Sequence, residues 1–168
     1  MNLEIKESIS KKETSEKYIF WDIDGTLAPY RFNGHVADPN GTKNGMSDKE
    51  IEEGIFLKRK PSKHMQKVVN ECKAKKNIII GHCHLKKEIN DKNIWLDEYY
   101  PNIKERLLTF DNIPKYESII DYCNENNILL KDVIFVDDVL EYLKEAEKKG
   151  IQSWHVSSFF DWEYQEYK

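Results

Sequence analysis

The sequence has no apolar run long enough to cross a bilayer: runs such as residues 18–21 and 78–80 fall far short of the ~20 residues a spanning helix needs. It shows no secretory signal either, because residues 1–17 alternate charges and lack an apolar h-region. A cytoplasmic protein without a membrane partner is the expectation. Cysteine is scarce, with three scattered positions, Cys72, Cys83 and Cys123. An odd, scattered set argues against a disulfide framework and fits a reducing compartment. There is also no basic excess: 26 Lys and Arg stand against 30 Asp and Glu, a net charge of −4. That leaves no global field to hold a polyanion, so no strong nucleic-acid signal. The local runs Lys58-Arg59-Lys60 and Lys73/Lys75/Lys76 read as solvated surface, with contact to a phosphate the alternative for Lys58-Arg59-Lys60. Repeats and low-complexity tracts are missing too.

What is present is a chain of 168 residues, 39% hydrophobic and 33% charged, the size and balance of one globular domain. Residues 1–16 are polar and read as a frayed arm or short surface helix. Residues 17–168 form the domain. Lys17–Trp21 is a compact aromatic and β-branched strand that stops at Asp22. Residues 28–48 are then punctuated by Pro29, Gly34, Pro39, Asn40-Gly41 and Gly45. Loops this long are uncommon in compact domains and tend to be functional. Ser47 and Glu50 fit a capping box opening a short helix.

Regularity returns with a helix over 61–76, a buried strand over 77–80, a helix near 91–100 and a strand over 106–110. A helix over 116–126, a strand over 132–136, a helix over 139–149 closed by Gly150, and a last strand over 151–156 complete the pattern. Strands alternating with helices predict a three-layer, Rossmann-like α/β domain whose parallel sheet is covered on both faces. The stretch of about 28–60 would be a short cap or flap over one end.

The acids fall in a telling place. Asp22 and Asp24 follow the first strand, and Asp137 and Asp138 follow a later one. Parallel strands point the same way and ligands bind beyond their carboxyl ends, so both clusters reach one edge. Carboxylates gathered there repel one another unless a hard cation holds them, and all-oxygen ligands favour Mg²⁺ over zinc. Residues two apart in an extended segment face the same way. Asp22 and Asp24 can therefore divide labour, one attacking a phosphate and the other moving the proton. Gly25 permits a sharp turn beside the ligand, and Thr26 offers a hydroxyl near the substrate.

The segment Phe20-Trp21-Asp22-Ile23-Asp24-Gly25-Thr26-Leu27 resembles the first motif of the haloacid dehalogenase superfamily of phosphohydrolases. Val136-Asp137-Asp138, followed by Leu143, Ala146 and Gly150, resembles its fourth motif, and Lys115 matches the third-motif lysine. The resemblance covers about residues 17–156. It implies that Asp22 is the nucleophile and a Mg²⁺ ligand, forming an aspartyl-phosphate. Asp24 would be general acid/base and give its backbone carbonyl to the metal. Asp138 would complete the metal ligands with Asp137 close behind, and Lys115 would neutralise nucleophile and phosphate.

One part of the pattern is missing. The family's second motif is a Thr or Ser after the second strand, whereas here Ile78–Ile80 runs into Gly81-His82-Cys83-His84, with no Ser or Thr until Thr109. His82, as an added cation when protonated, or the backbone amides after Gly81 would then meet the phosphate; otherwise the site has lost efficiency or changed substrate. Zinc at His-Cys-His is not expected, since no second ligand pair follows. His35, His64 and His155 read as surface or packing residues. Tyr30, Arg31, Phe32 and His35 of the flap are candidates to contact a substrate, with ordinary loop packing as the default role of each.

Lys92-Asn93-Ile94-Trp95-Leu96, then Tyr99-Tyr100, is similar to the 5′(3′)-deoxyribonucleotidase branch of the superfamily, which implies a nucleoside monophosphate; as a residue in its own right, Trp95 reads as a core anchor. Three functions stay open: a phosphatase for a small phosphorylated substrate such as a nucleotide, a phosphatase for a phosphate on a nucleic-acid end or a protein, and a catalytically weakened metal-binding regulatory domain.

Overall fold

The computed structural model describes residues 8–30 and 46–164. Alternation of side chains along the strands generates the layers. In β1 (Tyr18–Asp22), Ile19 and Trp21 face one side while Phe20 faces the other. In β4 (Val133–Asp137), Ile134 and Val136 join the first group, Val133 and Phe135 the second. β2 (Lys76–Cys83) sends Ile79 to the first face and Ile78 and Ile80 to the second. With β3 (Arg106–Phe110) and β5 (Gln152–His155), these form a parallel sheet in the order β3-β2-β1-β4-β5.

Helices then cover both faces, as the two-sided burial demands. The first carries α3 (Lys63–Glu71), through Met65, Val68 and Val69, and α4 (Lys86–Tyr99), through Trp95 and Leu96. The second carries α5 (Lys115–Glu125), through Ile119 and Cys123, and α6 (Leu140–Lys148), through Leu143 and Ala146. Among the described residues no helix is long and apolar enough to cross a membrane.

Several boundaries differ from the sequence expectation. The N-terminal segment is not a frayed arm where it is described. Its short helix α1 (Lys11–Thr14) is capped by Ser10, Ile9 is in the core, and the Thr14 hydroxyl donates to the Cys72 carbonyl at 2.9 Å. The third helix stops at Glu71 rather than residue 76, because Lys73 turns into the left-handed region at φ 47°. α4 begins five residues earlier than its apolar period suggests, at Lys86. β2 continues through Gly81, His82 and Cys83, which pair with Leu108, Thr109 and Phe110 of β3. The expected capping box holds: Ser47 opens α2 (Asp48–Glu52), with Glu50 returning to its backbone. A 3₁₀ turn, Ile55–Lys58, follows.

Gly150 ends α6 at φ +84°, and a Cβ there would meet nothing within 4 Å. The cost of a side chain is then purely conformational. Gly150→Ala should destabilise the domain by about 1 kcal/mol, read as a lower denaturant midpoint at unchanged slope.

Candidate active site

In this sheet order, β1 is followed by a connection to one side and β4 by one to the other, so their carboxyl ends meet at the topological switch point. Asp22 is the last residue of β1 and Asp137 the last of β4. Both share the parity of the side chains facing α5 and α6, so both turn toward the start of α5.

Lys115 stands there, the first residue of α5 and 5% exposed. A cation at a helix N-terminus opposes the helix dipole, and two carboxylates offset that: Lys115 Nζ lies 2.6 Å from Asp22 Oδ1 and 2.7 Å from Asp137 Oδ2. The ammonium also sits over the Tyr142 ring, 4.8 Å from its centroid. Asp137 is fully committed, because its other oxygen accepts the Val139 amide at 2.8 Å. Asp138 is not: its Oδ1 is buried with no hydrogen-bond partner. Gly25 makes room for it. At φ +82°, a Cβ on residue 25 would lie 2.1 Å from Asp138 Oδ2.

Carboxylate oxygens of Asp22, Asp137 and Asp138 all lie within 4.8 Å of one another. The electrostatics is that of acids waiting for a cation. Burial and the nearby Asp137 charge push the Asp22 carboxyl up to about 7, against the pull of Lys115. Burial and Asp22 push Asp138 up to about 6, and burial raises Asp137 as well. An orphaned buried oxygen, hard oxygen donors and mutually raised carboxyls fit Mg²⁺. Asp22 and Asp138 would hold it through their side chains, with Asp137 bracing Lys115.

Asp24 has a different environment. Its Oδ2 lies 2.7 Å from Lys92 Nζ, and its Oδ1 accepts from Arg59 Nη1. Burial alone would raise this carboxyl, but the two cations outweigh it and hold it at about 2. Neither cation was legible as a partner of Asp24: Arg59 reads as the middle of a basic run, and Lys92 enters only through the Lys92-Asn93-Ile94-Trp95 resemblance. In the structure Lys92 is completely buried, and only Lys58 and Lys60 of the run point outward.

A cleft of about 290 Å³ opens above these groups, lined among others by Asp22, Asp24, Lys115, Asp138, His82 and Tyr30. Not every expected residue reaches it. Gly81 lies within the sheet, where a Cβ would press on Ile23 at 3.2 Å and Leu108 at 3.3 Å, so it serves packing. Thr26 is 2% exposed and borders a separate hollow with Pro29, His64 and Phe160. Its hydroxyl therefore does not line the substrate cleft. His82 does line it, but its Nε2 is 2.7 Å from the Ile113 carbonyl oxygen, to which it donates. Burial and Lys115 lower its pKa, so the ring is neutral and brings no cation to replace the missing hydroxyl. His64, 2.7 Å from the Phe159 carbonyl oxygen, is a packing residue as expected, and His155 reaches the Asp138 carbonyl oxygen at 3.1 Å. Arg31, Phe32 and His35 lie outside the described residues.

No protein-family model and no curated protein matches the sequence. Among solved structures, the chain is similar to a haloacid dehalogenase-like family hydrolase from Streptococcus pneumoniae, with a TM-score of 0.55 and 16% identity over 83% of this chain and 84% of that one. A protein from Lactobacillus plantarum assigned as a phosphoglycolate phosphatase gives a TM-score of 0.56 and 12% identity, over 91% of this chain and 92% of that one. The N-terminal part of a Bacteroides fragilis protein, containing a phosphatase domain complexed with Mg, gives 0.52 and 13%, over 91% of this chain but 40% of that one. At such identities the likeness establishes a shared fold: the five-stranded parallel sheet between helices is that of haloacid dehalogenase-like proteins.

Proposed function

We propose that this chain, built on the fold of haloacid dehalogenase-like hydrolases, is a Mg²⁺-dependent phosphatase that hydrolyses a small phosphate monoester through an aspartyl-phosphate on Asp22. The observation that carries the reading is the Asp22–Lys115–Asp137 ion-pair chain beside the unpartnered Asp138 oxygen. A carboxylate oxygen buried beside two other acids calls for a cation or water to complete it, and a cation also offsets their mutual repulsion.

In the first step an Asp22 oxygen attacks phosphorus, a new P–O bond forms, and the bond to the leaving oxygen breaks, that oxygen taking a proton from solvent water. Lys115, protonated because both carboxylates outweigh its burial, holds the nucleophile and offsets charge on the phosphate. In the second step water attacks phosphorus, Asp24 takes its proton, and the P–O bond to Asp22 breaks, freeing phosphate. Asp24 suits that duty, since Lys92 and Arg59 keep it ionised. Mg²⁺ bound by Asp22 and Asp138 would neutralise charge as the anionic phosphate meets the carboxylate.

Within this class we favour a nucleoside monophosphate. Its support is the Lys92-Asn93-Ile94-Trp95 resemblance and the two tyrosine side chains, Tyr30 and Tyr142, among the residues that line the cleft. Phosphate release from p-nitrophenyl phosphate, nucleoside monophosphates, sugar phosphates and 3′-phosphorylated DNA, each with and without Mg²⁺, tests the reading. Release that requires Mg²⁺ and is fastest on a small ester supports it. Preference for the DNA end would move the substrate to macromolecular phosphates, and no release from any of them would leave a metal-binding domain without turnover.

A further inference from the structure

The insertion is more than a cover over the site. Its last described part, the 3₁₀ turn Ile55–Lys58 with Arg59, is fastened to α4 and to the first-motif loop at once. Arg59 donates through Nη1 to Asp24 and through Nη2 to the Ala28 carbonyl oxygen. The Arg59 carbonyl accepts the Trp95 indole N–H at 2.9 Å. Between them lies Phe56, whose ring meets Trp95 edge-on at 5.6 Å and carries Arg59 at 5.0 Å and Lys92 at 5.5 Å. Lys92 spends its protons on Asp24, Glu88 and the His82 carbonyl oxygen, each at 2.7 Å. An ammonium has three donors, so none remains for a substrate. Glu88 in turn accepts the His84 amide at 2.7 Å. Two cations thus balance two carboxylates, the half-buried Asp24 and the buried Glu88. The exposure of Lys92, at 0%, shows that this balance is internal to the fold.

We propose that Lys92 and Arg59 form a clasp that aims the Asp24 carboxylate as a base in the hydrolytic second step, which makes the end of the insertion a positioning element of the site. The inference rests on the phosphatase reading above. One cation on each oxygen fixes the plane of the carboxylate from two different elements, α4 and the insertion. Each oxygen keeps a further lone pair to accept a proton from water. With either cation gone, the carboxylate is held at one end only and pivots. The first step, attack by Asp22, does not use the clasp when the leaving group departs without a proton.

Rapid-mixing kinetics of Arg59→Gln on p-nitrophenyl phosphate with Mg²⁺ separates the two steps. The expected result is a kcat lower by about tenfold or more, a KM lower in proportion, and kcat/KM kept within about threefold, because kcat/KM reports only the first step. A burst of p-nitrophenol close to one per enzyme accompanies it as the aspartyl-phosphate accumulates. Arg59→Lys should restore part of kcat and shrink the burst. Lys92→Met should behave alike; it leaves Glu88 and Asp24 short of a partner, so if it fails to fold the Arg59 variants decide. A fall in kcat/KM without a burst would mean that Arg59 serves only structure, and wild-type kcat in Arg59→Gln would remove it from the reaction. Either result overturns the clasp while the parent still turns over. Loss of the phosphatase reading is distinct, since the parent itself would then release no p-nitrophenol.

Discussion

Asp22→Asn should abolish turnover, by on the order of 10³-fold or more, and yet raise the melting temperature of the metal-free protein at pH 8. The two effects have one cause. Asp22 sits 2% exposed beside Asp137, and its carboxyl is pushed up to about 7 by burial and that neighbouring charge. A carboxyl raised on folding binds its proton more tightly in the folded chain than in the unfolded one. Between its unfolded value of 3.8 and about 7, stability therefore falls as pH rises, and above that window the folded chain carries the full cost of a buried charge. An amide of the same shape removes that charge and leaves Lys115 paired with Asp137 at 2.7 Å. A gain of about 1 kcal/mol corresponds to about 2–4 °C in a domain of this size. Thermal unfolding in chelator at pH 8 and pH 5.5 checks it: the gain should be present at pH 8 and shrink at pH 5.5. A lower melting temperature for the variant at pH 8 would count against this account of the site.

The second large effect concerns the metal. Asp22 at about 7 and Asp138 at about 6 must both lose protons before they can hold a cation. Mg²⁺ affinity should therefore weaken as pH falls from 8, by about tenfold per unit for each proton taken up. Asp138→Asn removes the orphaned oxygen's charge and should cost about 10²-fold in affinity or more at pH 8, where Asp138 is ionised. Gly25→Ala should imitate it without removing a single ligand, because the added Cβ would overlap Asp138 Oδ2. Asp137→Asn should act otherwise, weakening the brace on Lys115 and lowering stability more than metal affinity. Titration calorimetry across pH 6–8 compares all four proteins. A pH-independent affinity, or a larger loss from Asp137→Asn than from Asp138→Asn, would reverse the assignment of the metal ligand.

What the sequence revealed about this site depended on the range of the interaction. Asp22, Asp24 and the Asp137–Asp138 pair were legible because each follows a short apolar strand, and a parallel sheet brings such ends together whatever lies between. Lys115 was legible only through its resemblance to a family motif. Arg59 was legible only as part of a basic run and Lys92 only through the Lys92–Trp95 resemblance, neither as a partner of Asp24. They are 33 positions apart in sequence numbering and meet because both pair with the Asp24 carboxylate, a relation without local periodicity. β2 was read short because Gly81 and His82 look like a turn. In the sheet, the bare backbone of Gly81 admits Ile23 and Leu108. The early start of α4 was hidden for a similar reason: Lys86, Lys87 and Glu88 carry no apolar period, and Glu88 is buried by its pairing with Lys92.

The order of the strands also decides how the site comes apart. β1 lies in the middle of the sheet, bonded to β2 on one side and β4 on the other. Its central amides are shielded from water by a partner on either edge and by helices above and below. Hydrogen exchange at Ile19, Phe20 and Trp21 should proceed only through opening of the whole domain, while the edge strands β3 and β5 exchange by smaller openings. Asp22, the proposed nucleophile, is thus attached to the segment of chain that opens last. Fluctuations that loosen the outer strands, and with them the walls of the cleft, leave its carboxylate in place.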